Sequence, residues 1–139
     1  MITEIISGLW ITNYKEIKND QFFKDNSITL VIYCVGNEIP FYNVSNVRNI
    51  RIPVSPFLHE DDISFLKKNS KQILLFIYSM KDSHNILLCG YENYTVPSII
   101  MGIYMIQYGN IDSKQILDII QSKNKDTIVD INLKHFLGT

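Results

Sequence analysis

The sequence predicts one α/β domain spanning residues 1–139, a twisted, mostly parallel sheet flanked by helices. Three observations carry this. Continuous apolar runs such as Thr29–Val35 (TLVIYCV) suit strands buried on both faces. Longer stretches with apolar residues three and four apart suit helices packed along one side. The two kinds alternate along the chain, the order that builds a parallel sheet.

The elements follow in order. Glu4–Ser7 and Leu9–Thr12 read as short strands broken by Gly8. Tyr14–Lys24 reads as a helix with Asn13 as its N-cap. Thr29–Val35 is the buried strand, and Asn37–Asn46, with Pro40 and several asparagines, reads as loop. Asn49–Val54 (NIRIPV) is a strand that stops at Pro53. Asp62–Tyr78 is a helix on which Ile63, Leu66, Ile73, Leu74 and Ile77 share a face. Asn85–Leu88 is another buried strand, followed by the polar, turn-like CGYENYTVP. Pro97–Tyr108 is an apolar helix with proline in its first turn. Ser113–Ser122 is amphipathic through Ile116, Leu117, Ile119 and Ile120, and Asn132–Phe136 reads as a last helical turn.

Composition excludes several classes. Hydrophobic residues are 46% and charged residues 19%, which rules out disorder and coiled coils. A net charge of -1 offers no field for a nucleic-acid backbone. Ile99–Ile106 is the longest apolar run, far short of the roughly 20 residues of a membrane span. No secretory or lipidation signal stands out, and Cys34 and Cys89 make no disulfide framework, so a cytoplasmic location is expected. His59, His84 and His135 lack ligand spacing, so neither a metal nor another cofactor is implied. There are 24 isoleucines, 13 asparagines and no alanine, and 11 lysines stand against two arginines. That is the coding bias of an AT-rich genome, such as large DNA viruses and some protists carry.

The segment after the last strand is the most informative. A buried strand, an eight-residue loop and a helix start would aim backbone N–H groups and a helix dipole at one point, an anion site. Open α/β sheets place their sites beyond the carboxyl ends of their strands.

Here the chain resembles the dual-specificity protein phosphatases, most nearly their poxviral branch. ISGLWIT resembles the opening strand pair, SITLVIYCV the third strand and SNVRNIRIPV the fourth. CGYENYTVPS stands where the family has its phosphate-binding loop, and IYMIQYGNIDSKQILDIIQSKN resembles the two helices that follow. The resemblance implies a loop of His-Cys, five residues, then Arg. Two registers fit. With Cys89 as nucleophile, the arginine position is Thr95. Aligning Tyr104 with the family's helix tyrosine puts Gly90 on the nucleophile, Asn93 on the loop glycine and Val96 on the arginine. The second register is preferred. It keeps Ile86–Leu88 on the strand and gives Asn93 the left-handed position that asparagine tolerates. Either way no arginine follows Arg51, and Pro56 falls on the general-acid position.

The thiolate reaction needs a cysteine, an arginine fork and an acid. Losing one oxyanion contact costs about 10²–10³ in rate. Losing the acid costs about 10²–10⁴. The resemblance therefore implies a pseudophosphatase with no catalytic residue, as in the family's serine/threonine/tyrosine-interacting members, which carry glycine for the nucleophile. Those members keep the arginine, so their phosphoresidue binding does not transfer. The degenerate loop is Cys89, Gly90, Tyr91, Glu92, Asn93, Tyr94, Thr95 and Val96.

Each residue also has a plainer reading. Cys89 reads as a small buried residue at a strand end. In this fold Cys34 ends the adjacent strand, and a Cys34–Cys89 redox pair is the alternative. Glu92 and Asn93 read as a solvated turn, or as an internal anion mimic or partner contact. Lys67, Lys68 and Lys71 read as a solvated helix face. Tyr91 and Tyr94 read as aromatics on an exposed loop, suited to a protein partner. The expected function is protein binding, as a viral regulator or structural factor, without nucleic acid or membrane. The poxviral relative dimerises through an N-terminal helix; with the first strand expected to begin almost at Met1, that mode is not expected here, and a homodimer through another contact stays open. The alternative function is a weak phosphatase using Cys89, with its acid from Glu60 or Asp61.

Overall fold

The computed structural model describes residues 2–125 and 133–137. In chain order the elements are β1 (Thr3–Ile6), β2 (Leu9–Asn13), α1 (Asp20–Asp25), β3 (Ile28–Tyr33) and β4 (Arg48–Arg51). Next come α2 (Glu60–Met80), β5 (Asn85–Gly90), α3 (Thr95–Gly109), α4 (Ser113–Lys123) and a 3-10 turn, Leu133–Leu137. Asn132, which opens the expected last turn, lies outside the described residues.

The strands form one mixed sheet in the order β1-β2-β5-β3-β4. β1 and β2 pair antiparallel through a tight turn in which Gly8 takes φ +81°, a conformation open to glycine at no steric cost. The other pairings are parallel. Asn13 is registered with Gly90, and Tyr33 with Cys89, so the carboxyl ends of β2, β3 and β5 meet at one edge.

The unbroken apolar runs are explained by the two faces of the sheet. On β3, Leu30 and Ile32, then Cys34 just beyond it, point to the face covered by α2, α3 and α4. Val31, Tyr33 and Val35 point to the other face, against Ile17 and Phe23. β5 divides likewise, Leu88 to the first face and Leu87 and Cys89 to the second. α3 is the central helix, buried at every position from Val96 to Met105. Ile99, Ile100 and Ile103 form its core stripe, with Ile106 partly buried beside it. Truncating one such side chain costs about 2–5 kcal/mol. Leu66, Leu74 and Ile77 of α2 are buried, with Ile63 and Ile73 at the margin. On its outer side Lys68 and Lys71 are exposed, whereas Lys67 is half-buried beside the His135 ring.

Two elements depart from expectation. The helix expected over Tyr14–Lys24 is a turn followed by the short α1. Asn13 does cap, its Oδ1 accepting from Lys15 and Glu16 N–H at 3.0 Å each, but the turn goes no further. Asn19 opens α1 instead, its Oδ1 accepting from Phe22 N–H. The eight-residue loop is also shorter than expected. β5 runs through Cys89 and Gly90 and α3 begins at Thr95, leaving Tyr91–Tyr94 between them.

Candidate functional site

The carboxyl ends of β2 and β5 converge on the Tyr91–Tyr94 loop and the start of α3. Strand alternation decides which side chains can enter that space. Gly90 faces α3: a Cβ built on it would lie 2.5 Å from Pro97 Cδ and 2.6 Å from Cγ. The Pro97 ring thus fills the volume that a side chain at Gly90 would need. Cys89, one residue earlier, points through the sheet into the α1-side cluster with Tyr33, Val35 and Leu87. It is fully buried, and that burial pushes its thiol up to about 12, opposed in part by Arg51. A nucleophilic cysteine needs the reverse shift.

Cys34 and Cys89 lie on adjacent strands, the Cys34 N–H donating to the Cys89 carbonyl at 2.6 Å. Their side chains occupy opposite faces of the sheet and both thiols are free, which corrects the redox-pair alternative. Burial raises the Cys34 thiol well above its ordinary value as well.

The loop does not present an open anion cradle. Tyr94 N–H donates to the Tyr91 carbonyl at 3.1 Å, and Thr95 N–H donates to Asn93 Oδ1 at 3.2 Å. The left-handed residue is Tyr94, φ 59°, rather than the expected Asn93. Asn93 spends its side-chain oxygen inside the turn instead. Nor is Glu92 an internal anion mimic. It is exposed and pairs with Lys15 at 2.5 Å.

The two tyrosines also differ from expectation. Tyr94 is 2% exposed, which corrects its reading as a surface contact. Its left-handed backbone turns the ring inward, where the hydroxyl meets the Glu16 carboxylate and lies 3.2 Å from Asn13 Nδ2. Asn13 Nδ2 also donates to Glu16 at 2.8 Å. Tyr91 is half-buried and pinned. Its hydroxyl accepts from Gly36 N–H (2.8 Å) and donates to Glu38 (2.6 Å), with the Val54 carbonyl 3.1 Å away. That bond, more than any other contact, holds the Glu38 carboxyl below its ordinary value.

An open hollow of about 420 Å³ remains, lined by Tyr14, Glu38, Ile39, Pro56, Tyr91, Glu92 and Asn93. Pro56, expected from the sequence on the general-acid position, forms part of its wall. Glu60 and Asp61 stand in the first turn of α2, where the helix dipole favours them. Asp62 is tied down further. Burial opposes its ionisation, yet hydrogen bonds from the Ser55 hydroxyl, Ser55 N–H and His59 N–H together lower its carboxyl.

The sequence assigned no site role to Tyr14, Glu38 or Arg51. Arg51 donates to the carbonyls of Gly36 (2.6 Å) and Ile39 (2.7 Å) and stacks over Phe41. It thereby holds the loop that carries Glu38. An arginine kept in a chain that favours lysine eleven to two was the available signal. Among the described residues no group of three His, Cys, Asp or Glu is placed to hold a metal ion. No helix among them is long and apolar enough to cross a membrane.

This architecture is the dual-specificity phosphatase fold. DUSP15 superposes with a TM-score of 0.78 at 20% identity, over 99% of this chain and 85% of that one. The human tyrosine phosphatase-like serine/threonine/tyrosine-interacting protein gives 0.77 at 15%, over 98% and 92%. Human DUSP28 gives 0.76 at 10%, over 97% and 89%. No family model and no curated protein matches the sequence.

Proposed function

We propose that this chain is a catalytically inactive member of the dual-specificity phosphatase family that acts by binding another protein. One observation carries the reading most: the position facing the α3 N-terminus is Gly90, and the Pro97 ring fills the space beside it. This favours the register in which Gly90, Asn93 and Val96 stand for the nucleophile, loop glycine and arginine. Pro56 at the acid position and the absence of any arginine after Arg51 support it further. The AT-rich coding bias fits a viral source, and with it the proposed role is that of a regulatory or structural factor in the host cytoplasm or virion.

Phosphatase activity through Cys89 is the weaker reading, because its thiol is buried in the α1-side cluster, away from the start of α3, and is held protonated. Aryl-phosphate hydrolysis at high protein concentration, with Cys89→Ser beside it, tests the choice. No turnover in either protein is expected. Turnover abolished by Cys89→Ser would overturn the proposal. Phosphate, tungstate and vanadate should likewise leave the melting temperature unchanged, since a ligand stabilises only where it binds.

A further inference from the structure

We infer that the hollow between Tyr14, Tyr91 and Pro56 receives an arginine or lysine side chain from an extended segment of a partner protein. The inference rests on the inactive-site reading and names the partner's chemistry at that same site.

Charge is the first argument. A phosphate site is lined by donors and positive charge. The lining of this hollow includes the carboxylates of Glu38 and Glu92 and no lysine or arginine, although Lys15 pairs with Glu92 and the Tyr91 hydroxyl donates to Glu38. Arg51, the nearest guanidinium to the Glu38 loop, is consumed by the carbonyls of Gly36 and Ile39. An approaching phosphate meets repulsion here, and a basic side chain meets two acceptors.

The rings are the second argument. Tyr14 and Tyr91 stand edge to face with centroids 6.2 Å apart, and tyrosine faces attract cations. The chain itself supplies a precedent. Lys15 Nζ lies 6.0 Å from the Tyr14 centroid while paired to Glu92. Those are the contacts an incoming ammonium or guanidinium would make. Lys15 and Glu92 are both more than half exposed, so their pair is weak and exchangeable.

An exposed aromatic follows Pro56 in the chain. This is Phe57, 79% exposed. Exposed aromatics beside charged acceptors are the composition of binding hot spots.

The test begins with random dodecapeptides displayed on phage and panned on the full chain. The selected sequences are then made as labelled peptides and titrated by fluorescence anisotropy. Selected peptides should be enriched in arginine and lysine over the input. Binding should weaken about tenfold or more in Glu38→Gln/Glu92→Gln, and also in high salt. Tyr14→Ala should weaken it less, and the circular dichroism of each variant should match that of the parent chain. No binders, no basic enrichment, or undiminished binding to the double variant would each overturn the inference. Self-association lost in the double variant would reassign the hollow to a second copy and overturn the partner segment. A phosphotyrosyl peptide is the separate arm. Its saturable binding would overturn the inactive-site reading, whereas failure of both peptide classes removes only the basic-segment inference.

Discussion

Cys89 and Gly90 are neighbours in the chain, yet they belong to different halves of the molecule. Cys89 is sealed into the α1-side core among Tyr33, Val35 and Leu87. Gly90 faces the start of α3, where the Pro97 ring replaces the side chain it lacks. The thiol therefore sits in an apolar wall, while the position facing the start of α3 carries no side chain. Residue type without strand parity says little about reactivity, because one residue along a strand reverses the face.

The largest effect that bears on this contrast is thiol labelling. Native Cys89 should react with iodoacetamide about a thousandfold or more slowly than the unfolded chain, since burial both blocks access and keeps the thiol protonated. Labelling faster than in the unfolded chain would mean an activated cysteine and would break the comparison.

Next comes the Gly90–Pro97 contact. Gly90→Ala forces a Cβ to within 2.5 Å of the Pro97 ring. Overpacking of this kind costs about 1–3 kcal/mol. The melting temperature should fall by roughly 4–12 °C. Adding Pro97→Ala should recover most of that loss. Losses that simply add would show that the ring is not what excludes the side chain.

The smallest effect is in pH. The Cys89 thiol is raised from 9.0 to about 12 in the fold, so the unfolded chain ionises first. Its contribution to stability is complete below pH 9 and is lost as pH rises toward 12. Cys34 shifts in the same direction, as does Tyr33, which is raised to about 12. Thermal melts should therefore show a steeper alkaline loss than the Cys89→Ala variant, by roughly 1 kcal/mol at pH 10. Identical slopes would mean that Cys89 is reached by solvent before the chain unfolds.

Elements whose signal is local were legible in the sequence. β3 and α3 show as apolar runs because they are buried on all sides, and α2 shows its stripe because only one side is. Tyr14–Lys24 misled because Asn13 caps a real turn. The chain after it is held by burial of Ile17 rather than by continued helix. The site was legible as a place, beyond the carboxyl ends of the strands, and the proposed losses, no arginine in the loop and Pro56 for the acid, rest on the sequence alone. The site's internal contacts were not legible. Tyr94 sits in a polar stretch that reads as exposed, and only a left-handed backbone together with Asn13 and Glu16, far earlier in the chain, takes its ring inside.

By itself the sequence determined the α/β class, the buried strands and the central helix. Those follow from composition and from periodicity over a few residues, which local hydrophobic burial reads directly. Only the tertiary structure decided that Cys34 and Cys89 lie on opposite faces, that Pro97 fills the place of a side chain at Gly90, and that Glu38 joins Tyr91 at the hollow. Each depends on strand register or on residues dozens of positions apart, and such pairings exist only once the sheet has assembled.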